Sequence, residues 1–190
     1  MKSNYVKDLM VPLAAYATVP ETATLLDAVK ALKKAQSAFE KQSERHRAVL
    51  VTDNDGRVVG KVSQHDVLEA LEPNYRKMRR SAKDGSIHRF GFNDDFVKST
   101  LEQYHLWEKA LENLCEKAIQ RNVREIMYSP DQGEYIAADA TLDEAVHRLI
   151  IGQHHSLLVM ADEAQRQIVG VLRLADMFAF IDQAMSECKP

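Results

Sequence analysis

The sequence predicts a mixed α/β fold of α+β-like character: two pseudo-symmetric β-α-β-β-α repeats packed sheet to sheet, with an inserted helical arm. Three observations predict it. The chain repeats itself at a nearly constant offset, each copy carries strand-like and helix-like periodicities in the same order, and the stretch 73–121 belongs to neither copy.

The repeat comes first because it organises everything else. Val6-Lys-Asp-Leu-Met10 returns as Val123-Arg-Glu-Ile-Met127, 117 positions later. The same offset carries Ala23-Thr-Leu25 onto Ala140-Thr-Leu142 and Ala28-Val29 onto Ala145-Val146. Val58-Val-Gly60 then matches Ile168-Val-Gly170, and Asp66 matches Asp176, at an offset of 110. The first copy therefore holds seven extra residues between its first helix and the strand that opens its hairpin.

Within each copy a short leading strand is expected near Thr18-Val19 and Tyr135-Ile136. Thr24 and Thr141 are good helix N-caps. Thr141-x-x-Glu144 has capping-box spacing, and Thr24-x-x-Asp27 is its acidic equivalent. Leu25, Val29, Leu32, Ala35 and Phe39 recur at helical spacing, so a helix should run from Thr24 into the low forties. The second copy predicts a shorter helix over 142–151, ended by Gly152 at the C′ position. Ala48-Val-Leu-Val51 and Leu157-Leu-Val-Met160 read as buried strands. Asp53-Asn-Asp-Gly56 turns the chain into the paired strand Arg57-Val-Val-Gly-Lys-Val62, and a looser turn over 162–166 precedes Gln167-Ile-Val-Gly-Val-Leu172. A second helix closes each copy, over 64–71 and 174–185. Neither copy alone covers both faces of so small a sheet, so two copies sharing one core is the natural solution.

The expected organisation is a first repeat over 1–72, an inserted linker with a long amphipathic helix over 73–121, and a second repeat over 122–190. Pro73 ends the preceding helix, and Ser81 to Gly91 is a polar loop. From Asn93 or Asp94 a helix should reach Arg121, with Val97, Leu101, Tyr104, Trp107, Leu111, Leu114 and Ala118 along one stripe. Such a stripe needs cover, and Tyr104, Trp107 and Leu111 suit the anchors of an interface, with a homodimer the expected assembly.

Composition narrows the function. The 190 residues are 45% hydrophobic and 28% charged, an ordinary globular balance. A net charge of -3 gives no general attraction to nucleic acid or an anionic membrane. The basic cluster Arg76-Lys-Met-Arg-Arg80 with Lys83 lacks interleaved aromatics and reads as a solvated loop. Cys115 and Cys188 are far apart and read as buried or idle thiols in a reducing compartment. With no apolar leader and no membrane-length run, a cytoplasmic protein is expected. His154-His155 point to opposite faces of an extended chain and offer no chelate, and no nucleophile is paired with a base; neither a metal nor a catalytic role is predicted.

Val6-Lys-Asp-Leu-Met10, Thr18-Val-Pro-Glu-Thr-Ala-Thr-Leu25 and Gly56-Arg-Val-Val-Gly-Lys-Val-Ser-Gln-His-Asp66, with their second-copy echoes, resemble the CBS-domain family (the cystathionine β-synthase type). Its signature is Gly, two mostly apolar residues, Thr or Ser, two variable residues, then Asp. Gly60-Lys-Val-Ser63-Gln-His-Asp66 fits with Lys61 as a polar intruder, and Gly170-Val-Leu-Arg173-Leu-Ala-Asp176 places Arg where the hydroxyl residue belongs. The resemblance implies a pair whose clefts bind AMP, ADP, ATP or S-adenosylmethionine as regulatory ligand, with no required cofactor. It also implies Asp66 on the ribose hydroxyls and Ser63 near the ribose or first phosphate. A carboxylate and backbone N–H groups at a helix start suit that chemistry. Adenine would lie near Tyr16, Thr18 and Ala48, His65 and Arg47 would add phosphate contacts, and Arg173 and Asp176 would serve the second cleft.

The expected function is therefore a stand-alone, non-enzymatic sensor of an adenosine compound, acting on an effector protein that this sequence does not identify. The rival is an interaction protein with vestigial clefts that assembles through the arm.

Overall fold

The computed structural model describes residues 5–38, 48–72, 74, 99, 102–103, 112–162 and 167–186. In chain order the elements are β1 (Val11–Pro12), β2 (Thr18–Pro20), α1 (Leu25–Ala38), β3 (Ala48–Thr52), β4 (Val58–Ser63), α2 (Gln64–Leu71), α3 (Leu114–Gln120), α4 (Val123–Ile126), β5 (Tyr135–Ala137), α5 (Leu142–Ile151), β6 (Ser156–Asp162), β7 (Gln167–Arg173) and α6 (Leu174–Ser186). Short 3₁₀ turns occupy Val6–Asp8, Leu13–Ala15 and Gln132–Glu134.

Two sheets form, ordered β2-β3-β4 and β1-β7-β6-β5. The pairs β2–β3 and β5–β6 are parallel, whereas β3–β4 and β6–β7 are antiparallel hairpins. Alternation along the strands divides three cores. Val49 and Val51 of β3 pack with Leu25, Ala28 and Leu32 of α1. Leu157 and Val159 of β6 pack with Leu142, Ala145 and Leu149 of α5. The opposite faces supply Leu50, Leu158, Met160, Ile168 and Val171, which meet with Tyr16 in a third cluster between the sheets. The fold is thus the expected α/β arrangement of two repeats joined sheet to sheet.

One feature was not legible in the repeat: the leading segments are exchanged. Val6 packs in the core of the second repeat, and Val123 and Ile126 pack in the core of the first. The backbone bonds mirror each other. Val6 N–H donates to Ala140 O at 3.0 Å, and Val123 N–H donates to Ala23 O at 2.8 Å. Strand β1 continues the exchange by pairing with β7, Val11 opposite Val171, while Tyr128 bridges to Lys61 in the same way. The exchange explains why Gly and Met are both in the repeated text. A Cβ on Gly170 would lie 2.7 Å from Met10 Sδ and 2.7 Å from Val11 O. One on Gly60 would lie 2.7 Å from Met127 Sδ and 3.0 Å from Tyr128 O. Each repeat's glycine makes room for the other repeat's leading segment.

Several local expectations change. Thr24 and Asp27 do form a reciprocal cap: Thr24 Oγ1 donates to Asp27 Oδ2 at 2.7 Å, and Asp27 N–H donates to Thr24 Oγ1 at 3.2 Å. At the second copy Thr141 accepts from Glu144 N–H at 3.2 Å, but the Glu144 carboxylate turns to Arg148 at 2.7 Å, so only half of the capping box forms. Gly152 closes α5 in a right-handed conformation, and Gln153 takes the left-handed one at φ 50. Gly152 is needed there for space, since the His154 ring lies where a Cβ would be. The helix expected to run unbroken to Arg121 is interrupted at Asn113, whose φ of 52 restarts the chain as α3; asparagine tolerates that conformation well. Of the arm's stripe, Ala118 packs on the first repeat's core while Leu114 is exposed. The helix α1 is described as far as Ala38, and Phe39 lies outside the described residues. Cys115 is exposed rather than buried, and Cys188 lies outside the described residues. Among the described residues no helix is long and apolar enough to cross a membrane.

Candidate functional site

The two signature ends sit at the starts of α2 and α6, and they differ in how their aspartates are occupied. In the first, Ser63 is the N-cap of α2 and Asp66 is its N3 residue. Ser63 N–H and Oγ both donate to Asp66 Oδ2, at 2.8 and 2.6 Å, and Asp66 N–H returns a bond to Ser63 Oγ at 3.3 Å. Both Ser63 bonds thus fall on one carboxylate oxygen. Ala48 stands opposite Ser63 across the β3–β4 ladder, so it belongs to this end of the sheet. His65 projects outward, its side chain 73% exposed, with Nδ1 4.0 Å from Glu69 Oε2. The His65, Asp66 and Glu69 ligand atoms lie within 4.8 Å of one another.

At the second end Arg173 replaces the serine and closes on the aspartate. Its Nε donates to Asp176 Oδ2 at 2.6 Å while its terminal nitrogen holds Oδ1, a two-pronged pair with side chains 16% and 15% exposed. Such a fork uses both carboxylate oxygens. Tyr16 is buried beside it. Burial pushes its phenol up to about 12, with Arg173 pulling down and Asp176 pushing up. The resemblance places Tyr16 with Asp66; the structure places it with Arg173 and Asp176, because the exchanged leading segments carry it across to the other repeat. Thr18 begins β2 opposite Leu50, and Ala17 O and Tyr16 N–H are used by Leu50 N–H and Leu13 O. Those backbone groups are committed to the sheet and its 3₁₀ turn.

Read by the repeat offsets, the two ends are twins with different fillings. Tyr16 and Arg173 of the second end correspond to Gly133 and Ser63 of the first. Two bulky side chains stand where the first end has a bare backbone and a hydroxymethyl.

The first end also holds a group that sequence reading missed. Lys61, whose twin is the apolar Val171, pairs through its ammonium with Glu134, whose twin is Ala17. The two side chains are 17% and 2% exposed. Lys61 Nζ also lies 5.1 Å from the centroid of the Tyr128 ring, and Lys61 and Tyr128 exchange backbone bonds of 3.0 and 2.9 Å. Among the described residues Glu134 Oε1, which is buried, has no hydrogen-bond partner within the usual distance. Tyr128 is raised above the ordinary phenol range by burial first, then by its contact with Glu134 and by the charges of Glu134, Asp131 and Asp66. The signal was available: laying the copies over one another shows a Lys and a Glu that both lack a charged twin. Arg47, Tyr104, Trp107, Leu111 and the basic cluster 76–83 lie outside the described residues.

The CBS domain family profile matches residues 6–73 and 123–183. The structure is similar to that of a hypothetical conserved protein from Geobacillus kaustophilus, at 16% identity and a TM-score of 0.61, over 95% of this chain and 97% of that one. It is also similar to the CBS-pair protein CBSX2 from Arabidopsis thaliana, at 16% identity and a TM-score of 0.59, over 98% and 100%. CBSX2 in complex with AMP is matched at 16% identity and a TM-score of 0.58, over 96% and 99%. At these identities the likeness is one of fold. No curated protein matches the chain by sequence.

Proposed function

The chain belongs to the CBS-domain family, carrying two of its segments, and on that premise we propose that it is a regulatory module that binds an adenosine compound at the Asp66 end and answers by a change of shape. The observation that carries the reading is the contrast between the twin ends. At the Asp66 end the small Gly133 and Ser63 stand where the other end has Tyr16 and Arg173, and the Ser63 bonds load one carboxylate oxygen. At Asp176 both oxygens are held by Arg173, and Tyr16 is packed alongside. A ribose diol needs an acceptor with lone pairs to spare, and the N-terminus of α2 adds backbone donors for a 5′ substituent. One ligand per chain follows. That CBSX2 has been seen with AMP supports the ligand class. A ligand shifts a conformational equilibrium only by its differential affinity for the two states, so the response is tied to binding strength.

Thermal unfolding of the ligand-free chain with AMP, ADP, ATP and S-adenosylmethionine tests this. A compound at about 100 times its dissociation constant adds about 2.7 kcal/mol of stability. The Asp66→Ala variant should start about 1 kcal/mol less stable, having lost the N3 half of its capping box, and should show no ligand-induced shift. If no compound moves the wild-type curve at millimolar level, adenosine sensing is refuted. The proposed homodimer, anchored at Tyr104, Trp107 and Leu111, is read from sedimentation velocity. A Trp107→Ala variant that stays fully dimeric removes the arm as its interface.

A further inference from the structure

The surfaces through which the two repeats meet are nearly alike. Leu50 and Leu158 hold matching places in the cluster between the sheets, opposite Lys61 and Val171 on the neighbouring strands. Val6 and Val123 are each wholly buried in the repeat opposite their own. Gly60 makes room for Met127, and Gly170 for Met10. These contacts would serve as well if two copies of the chain met first repeat to first repeat and second to second, a true two-fold axis replacing the approximate one. Hydrophobic burial is non-directional and does not tell the two pairings apart.

Charge does tell them apart. Lys61 of the first repeat meets Glu134 of the second, with side chains 17% and 2% exposed, and their twins Val171 and Ala17 are uncharged. Apolar replacement of a buried pair is often neutral or stabilising, because desolvation offsets most of the attraction. The pair weighs most on the wrong arrangement. Like-to-like pairing would bring Lys61 of each copy to the other's Ala17, and Glu134 of each copy to the other's Val171. Every one of those charges would then be buried without its counterion, which costs far more than burying the pair. We propose that the Lys61–Glu134 pair is the recognition element that makes the first repeat take a second repeat, and not another first repeat, as its partner. A single buried polar contact fixes the choice of partner in the same way in coiled coils. The proposal is independent of any ligand.

The test is disulfide trapping in the full chain, with Cys115→Ser and Cys188→Ser in the background. Tyr128 lies against Lys61 and Val171 against Val11, so Tyr128→Cys and Val171→Cys do not meet in the structure as folded. Second-to-second pairing would set each 128 opposite the other copy's 171, at the Cα spacing of about 4.5–5.5 Å that suits a disulfide. The chain is refolded from urea at about 1 mM, where joining both repeats in one chain no longer decides the pairing by itself, and then oxidised. With Lys61 and Glu134 in place, the covalent dimer on a non-reducing gel should hold about a tenth of the chains or fewer. Lys61→Val/Glu134→Ala should raise it at least about threefold. Lys61→Met/Glu134→Gln, uncharged at nearly the same length, should do likewise and serves alone if the smaller pair fails to fold. A second reporter, Val11→Cys/Val171→Cys, should lose its link within one chain in step. Covalent dimer equally abundant with and without the charges, or already the main product with them, overturns the proposal.

Discussion

Lys61 and Glu134 offer a perturbation whose magnitude follows from the structure and whose control is supplied by the chain itself. The pair joins β4 of the first repeat to the turn before β5 of the second, with Glu134 almost wholly buried. Lys61→Val would leave an ionised carboxylate in the interface with neither oxygen paired. Breaking one partner of a buried pair costs about 3–5 kcal/mol. With a urea slope of about 2 kcal/mol/M, the unfolding midpoint should fall by about 1.5–2.5 M. The double variant Lys61→Val/Glu134→Ala writes in the residues of the twin positions, Val171, which packs in the cluster between the sheets, and Ala17, which packs on the first repeat's core. Replacing both members of a buried pair by apolar residues is often neutral or stabilising, so the double variant should recover to within about 1 kcal/mol of wild type. Equilibrium urea unfolding of the wild type, both single variants and the double gives the coupling energy directly. A Lys61→Val cost below about 1 kcal/mol, or singles that merely add in the double, would refute the reading of this pair as a buried, mutually dependent bridge between the repeats.

Arg173→Ser copies Ser63 into the second end and releases both oxygens of Asp176; titration should then show a second, weaker adenosine site per chain, and an unchanged stoichiometry removes the Arg173 fork as the lock. Gly170→Ala sets a methyl group against Val11 O and Met10 Sδ and should cost about 1–3 kcal/mol by overpacking, measured by the same unfolding; no loss would show that the leading segment is not held as tightly as described. Tyr16 is pushed from 10.0 to about 12. The unfolded phenol therefore ionises while the folded one stays neutral, and stability is lost as pH rises from 10 toward 12. Tyr16→Phe should flatten the fall in urea midpoint between about pH 9 and about pH 11; an unchanged slope assigns the loss to other groups.

The sequence by itself determined the local elements and their order. Period-2 and period-3.6 patterns are properties of neighbouring residues, so β3, β4, α2, β6, β7 and α6 could be placed nearly as they stand, and the repeat showed that two such units had to share a core. Ser63 and Asp66 were readable for the same reason: a capping pair three residues apart is a local device. What lies between distant segments was decided only by the tertiary structure. The exchange of leading segments moved Tyr16 from Asp66 to Arg173 and Asp176, because where a short strand pairs depends on which sheet edge it meets and not on its own residues. The Lys61–Glu134 bridge spans the interface of the repeats, so its two halves look in sequence like isolated surface charges. The Arg173–Asp176 fork stands between these cases: its spacing of three was in plain view, yet whether the guanidinium turned toward a ligand or back onto its own helix start depended on burial, which makes the bidentate pair the cheaper way to satisfy both charges.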